Sequence, residues 1–173
     1  GYEAASLSEL TSAMGITPPS LYAAFGDKEQ LFLEAVERYS TKNCDALQCL
    51  FAEAPTARDA IERLLQSSAV ENTCPSHPPG CLVVTAATNC SASAEHVQTA
   101  MTERRDNVET MIKTRIEQGV KEGELPPGTD PGTLASFYAT VIQGMSTQAR
   151  DTGDRDKLLA IAAAAMRAWP ANK

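Results

Sequence analysis

The chain has 173 residues, 43% of them hydrophobic and 21% charged, with a net charge of −7. This is the composition of a globular protein, one domain or a small module joined to a larger one, and it excludes a disordered chain. No apolar run approaches the roughly 18–20 residues of a membrane span, "GYEAASLSEL" has no signal-peptide features, and five cysteines, an odd number, argue against a secreted disulfide framework. A soluble, cytoplasmic protein with reduced thiols and no membrane partner is expected.

Apolar residues recur at three and four positions along the chain, so an all-α fold of about eight helices is expected. Ser6 and Glu9 form a capping-box pattern ahead of Leu7, Leu10 and Met14. After Gly15 and Ile16, Thr17 can cap a second short helix with Pro18 at its first position, where a missing N–H costs nothing. Asp27, with Gln30 three residues on, starts a longer helix to about Ala52. Thr56 starts the next, to about Val70. "NTCPSHPPG" (72–80) reads as a loop. "CLVVTAAT" (81–88) suits a strand or a buried helix; no partner strand is visible, so helix is favoured. A long helix is expected from about Ala94 to Glu122. Asp130 with Pro131 starts another, "RDTGDRD" (150–156) reads as a turn, and a final helix carries Leu158 through Trp169.

A short helix, a tight turn containing Gly and a second short helix make a helix-turn-helix pattern. Leu10, Met14, Ile16, Leu21 and Phe25 can share a small core. At about 100° per residue, Pro19, Ser20, Tyr22 and Ala23 fall on the outer side of the second helix. Such a helix suits the DNA major groove, with Tyr22 and Lys28 able to reach phosphates. Against this stands the charge. Residues 1–39 hold Lys28 and Arg38 against Glu3, Glu9, Asp27, Glu29, Glu34 and Glu37, whereas a nucleic-acid binder is usually basic.

The string "GYEAASLSELTSAMGITPPSLYAAFGDKEQLFLEAVERY" closely resembles the DNA-binding region of the tetracycline-repressor (TetR) family of bacterial regulators. Gly1-Tyr2, Ser6-Leu7, Leu10, Gly15, Leu21-Tyr22, Phe25, Lys28, Leu31 and Tyr39 carry the match. The resemblance implies an all-α homodimer, with a helix-turn-helix DNA-binding domain over 1–39 and a ligand-binding and dimerisation domain over 40–173. It implies a repressor released from a palindromic double-stranded operator by a small-molecule inducer. Ser6, Thr17, Pro18, Pro19, Ser20, Tyr22, Ala23 and Lys28 then fall at or beside operator-contacting positions. Family members carry a further helix, often with a basic arm, before the Gly-Tyr pair, so the first helix is expected to be missing here.

Cys81, Met101, Met111, Phe137, Tyr138 and Met145 are candidates to line an interhelical ligand pocket, a usual location for one. Ala135, Ala139, Ile142, Leu158, Ala162, Ala165 and Trp169 are candidates for the dimer interface. Cys81 follows Pro-Pro-Gly at a helix start, where a thiol is activated, so a redox or electrophile sensor is an alternative reading. A small-molecule binding protein without DNA-binding activity is another. Cys74, His77 and Cys81 match no common zinc spacing. No Gly-rich phosphate loop, metalloprotease His pair or nucleophile elbow is present. No metal, cofactor or enzymatic activity is expected.

Overall fold

The computed structural model describes residues 1–88 and 90–171. Asn89, at the end of the apolar segment, and Asn172 and Lys173, at the end of the helical domain, lie outside the described residues. The described chain is all helical: α1 (Leu7–Met14), α2 (Pro18–Phe25), α3 (Lys28–Glu53), α4 (Ala57–Asn72), α5 (Leu82–Thr85), α6 (Glu95–Lys121, entered through a 3-10 turn at Ala92–Ala94), α7 (Pro131–Thr152) and α8 (Arg155–Met166).

Helices α1, α3, α4, α7 and α8 start where a side chain accepts from one of the open N–H groups. At α1 the Ser6 hydroxyl accepts the Glu9 N–H at 3.2 Å, and the Glu9 carboxylate accepts the Ser6 N–H at 2.9 Å. Asp27 accepts from Gln30 at 2.8 Å, Thr56 from Asp59 at 3.1 Å and Asp154 from Lys157 at 3.0 Å. Asp130, followed by Pro131, accepts from Gly132 at 2.9 Å. Thr17 occupies the N-cap position of α2, but its side chain makes no capping bond. Its hydroxyl lies 2.9 Å from that of Ser20 instead. Gly15 ends α1 at φ +66°, a left-handed conformation that costs a side-chain-bearing residue about 1 kcal/mol or more.

Two apolar cores result. The larger joins the C-terminal half of α3 to α4, α6, α7 and α8, around Ile61, Leu65, Ile112, Ile116, Tyr138 and Leu158. Gly119 lets α6 approach α4 closely: a Cβ there would lie 2.6 Å from that of Ala57. The smaller core gathers Val36, Val83, Ala87, Val97 and Met101, with Tyr2, Phe32, Tyr39, Cys81 and Leu82 against it. It fastens the start of the chain and α3 onto α5 and α6. Helix α3 runs unbroken from the helix-turn-helix segment into the larger core.

Three expectations about elements are corrected. Helix α7 continues through Arg150 to Thr152 and turns only at Gly153, which is left-handed, because nothing in "RDT" interrupts helix geometry. Trp169 lies beyond the end of α8, folded back so that its ring centroid is 6.0 Å from that of Tyr138. Met14, expected in the small core, is 42% exposed. The segment over 81–88 is helical as favoured, but for one turn only.

Candidate functional site

The outer side of the helix-turn-helix is built as the periodicity requires. Leu21 is fully buried and Phe25 half-buried, while Thr17, Pro18, Pro19, Ser20, Tyr22 and Ala23 are all exposed, as is Ser6 at the start of α1. Tyr22, 48% exposed, is the one large side chain on that surface. Lys28 is held rather than loose. It is half-buried, and its ammonium sits 4.5 Å from the centroid of the Tyr2 ring, a cation–π contact. The six candidate contact positions from Thr17 to Ala23 are thus all exposed, and Lys28 stands in the first turn of the next helix.

Contacts that sequence reasoning missed tie this head to the rest of the molecule. The Tyr2 N–H donates to the Ala86 carbonyl at 2.8 Å, just past α5. The Tyr2 ring packs on Phe32 at 5.0 Å between centroids. Glu3 accepts from the Ser91 N–H at 3.1 Å and its hydroxyl at 2.8 Å, and those two bonds hold its carboxyl below the usual range. Glu37 pairs with Arg104 at 2.6 Å, and Glu29 pairs with His96. One of the six acidic side chains in the head is therefore neutralised by an arginine of α6. The head is less acidic than its own composition suggests.

The expected ligand pocket is corrected. Met101, Tyr138 and Met145 are fully buried and fill the two cores, Met111 is half-buried against the larger one, and Phe137 is 40% exposed on the outside of α7. Burial lifts the Tyr138 phenol to about 12, so it stays neutral across physiological pH. Cys81 is half-buried between helices: its N–H donates to the Ser146 hydroxyl at 2.7 Å, and the Tyr39 hydroxyl donates to its sulfur at 3.5 Å. Burial, then the neighbouring Cys81, pushes the Tyr39 phenol up.

None of these six lines the cavity found among the described residues between α5, α6 and α7. That cavity, about 700 Å³, is lined by Val84, Thr85, Ala87, Thr88, Gln98, Arg105, Thr140, Gln143, Gly144, Thr147, Arg150 and Asp151. The reason is steric. Large apolar side chains at helical spacing fill interhelical space, and a void forms where small and polar ones leave it open.

The expected interface is corrected too. Ala135, Ala139, Leu158, Ala162, Ala165 and Trp169 are each 9% exposed or less within the single chain. They pack in the larger core of the chain itself. Only Ile142 keeps part of its surface. Exposed surface clear of the cavity lining remains on α7 and α8 at Phe137, Ala160, Ala163 and Ala164.

An exposed helix-turn-helix on a helical body with an interhelical cavity defines a DNA-binding regulator, and the comparisons agree. Residues 1–35 match the "Bacterial regulatory proteins, tetR family" and residues 57–166 the "Tetracyclin repressor-like, C-terminal domain". The chain belongs to the TetR family and is a DNA-binding transcriptional regulator. It is 33% identical to the HTH-type transcriptional repressor ComR of Escherichia coli (strain K12), over 98% of this chain and 81% of that one. Identity to the repressor BdcR of the same organism is 25%, over 95% and 79%. A cysteine mutant of the TetR family transcriptional regulator CifR, solved in complex with 26 bp double-strand operator DNA, superposes with a TM-score of 0.95. It shares 43% identity, over 98% of this chain and 89% of that one. No described helix is long and apolar enough to cross a membrane.

Proposed function

We propose that this chain is a repressor that holds a palindromic operator as a homodimer and releases it when a small molecule enters the α5–α6–α7 cavity. Residues 1–39 form the DNA-reading unit and 40–173 the ligand-binding and dimerising one. Pro19, Ser20 and Ala23 lie against base edges, Thr17 and Pro18 open the helix in the groove, and Tyr22, Ser6 and Lys28 serve the phosphates. The exposed surface of α7 and α8 pairs with its copy, its small residues allowing close helix approach. The two reading heads then span about one turn of DNA, about 34–36 Å. The protein acts in the cytoplasm and catalyses no reaction.

The observation that carries this reading is the double engagement of α5. Val84, Thr85, Ala87 and Thr88 line the cavity, while Val83 and Ala87 pack in the core that holds Tyr2, Phe32 and Val36. The Ala86 carbonyl takes the Tyr2 N–H. A one-turn helix cannot shift on its cavity side without moving its head side. A ligand that favours one setting of α5 therefore biases the position of α3 and of the heads. Linkage requires that operator DNA weaken ligand binding by the same factor.

The test begins with the promoter fragment that full-length protein retains from sheared genomic DNA. Fluorescence anisotropy on that fragment is then read with and without compounds that raise the melting temperature. A binder that lowers operator affinity in wild type but not in Thr147→Trp, where indole fills the cavity, supports the reading. If every binder leaves operator affinity unchanged, induction through this cavity is wrong. A thiol sensor at Cys81 has one observation in its favour, the seat of its sulfur against Tyr39 of α3. Full response to oxidant and to electrophile in Cys81→Ser excludes it.

A further inference from the structure

We infer that the cavity takes a small molecule bearing a single carboxylate, gripped by the guanidinium groups of Arg105 and Arg150. The inference rests on reading the cavity as the effector site and names the chemistry that site selects. Charge points the same way. The lining carries two arginines and one acidic residue, Asp151, a positive balance inside a chain of net charge −7. One surplus positive charge suits a monoanion better than a phosphate dianion.

The arginines are also available. Arg104, one residue earlier on α6, is tied to Glu37 at 2.6 Å. Arg105 is half-buried, and among the described residues no carboxylate pairs with it. Two of its donors go to the Val83 carbonyl at 3.0 Å and the Thr102 hydroxyl at 2.8 Å, and a guanidinium has five. Its fork is thus positioned by neutral acceptors with donors to spare, the arrangement that receives a carboxylate in bidentate fashion. Arg150 reaches the cavity along a path that only glycine leaves open. A Cβ on Gly80 would come within 2.9 Å of the Arg150 Cγ. A volume of about 700 Å³ leaves room for the organic part of the ligand against Val84 and Ala87, in the range of ordinary small-molecule sites.

Arg105 also couples binding to the head. The same guanidinium that faces the cavity holds the Val83 carbonyl of α5. A carboxylate taking the remaining donors draws the guanidinium, and with it the bonded Val83 carbonyl of α5, toward the cavity.

The probes are benzoate and octanoate, each against its neutral amide, with inorganic phosphate as a dianion control. They are titrated into the full-length dimer by calorimetry and thermal shift. At least one carboxylate should bind, its amide and phosphate should not, and Arg105→Gln and Arg150→Gln should each weaken it about tenfold or more. Arg150→Gln leaves the bonds to α5 intact, so its loss of binding cannot be ascribed to a disturbed fold. Amides that bind as well as the acids, carboxylate affinity unchanged in both variants, or no carboxylate bound at millimolar concentration would each overturn the inference. Operator anisotropy separates it from the reading beneath it. A carboxylate that binds through both arginines yet never releases the operator refutes induction and leaves the anion site standing. A neutral compound that releases the operator through this cavity does the reverse.

Discussion

The head and the body of this molecule are stabilised differently. In residues 1–39 only Leu21 and Val36 among the apolar side chains are buried, with Thr11 beside them. The body buries a continuous core across five helices. The head is therefore held by local devices, two N-caps and a glycine turn, and by docking on α5, on α6 and on Ser91 between them through Tyr2, Phe32, Glu3, Glu29 and Glu37. Marginal intrinsic stability together with a docked position is what a switched element needs. A body that could be rearranged as easily would have no fixed cavity for a ligand.

The sharpest way to break this contrast is to remove one buried leucine from each region. Leu65→Ala in the body should cost about 2–5 kcal/mol of global stability, read by urea denaturation. Leu21→Ala should abolish operator binding while shifting the main urea transition far less. If Leu21→Ala destabilised the body as much as Leu65→Ala, head and body would be one cooperative unit and the distinction would fall.

Docking is tested next. Tyr2→Ala removes the ring from Phe32, from Lys28 and from the smaller core. Operator binding should survive but respond weakly to the cavity ligand, because head and α5 no longer share that contact. Retained full response, measured as the ligand-dependent change in operator affinity, would take the Tyr2 ring out of the coupling and leave it to the backbone bond between Tyr2 and Ala86. Lys28→Ala should act more mildly on all DNA sequences alike and reduce the salt slope of log affinity by about one. A salt series with an unchanged slope refutes the phosphate role and leaves Lys28 as a partner of Tyr2 alone.

Smaller effects probe the caps. Gly15→Ala forces a Cβ into a left-handed turn and should lower head stability by about 1 kcal/mol, visible as faster amide exchange in α1 and α2. The smallest is a pH effect. The Ser6 N–H and then its hydroxyl, hydrogen-bonded to the Glu9 carboxylate, hold that carboxyl below its ordinary value. A depressed folded-state pKa contributes stability that is present above the ordinary carboxylate value and lost as pH falls through the folded one. Acid should thus release the capping box, and Glu9→Gln should flatten that limb of the amide-exchange profile of α1. An identical acid limb in the variant would show that the box contributes nothing.

How much could be read without coordinates differs between the same two regions. The capping box at Ser6, the turn at Gly15, the start at Pro18 and the inward seat of Leu21 are interactions within a few residues, so residue type and spacing specify them. The outer face Thr17–Ala23 follows from Leu21 by helix geometry. In the body, apolar spacing identified inward-facing positions but not what they face. Met101, Tyr138 and Met145 suit pocket lining, and Ala135, Leu158 and Trp169 an interface, as well as they suit a core, because the three kinds of position carry the same apolar signature.

The sequence by itself determined the helices, their order, their starts and the helix-turn-helix, all of which depend on short-range hydrogen bonds and on a 3.6-residue period. Tertiary structure alone decided that α5 stands between cavity and head, that Arg105 is left without the acidic partner Arg104 has, that Glu37 is neutralised by Arg104 and that Glu29 meets His96. Each of those depends on two elements, 22 to 84 residues apart, meeting in space. No periodicity along one helix records which neighbour it will meet.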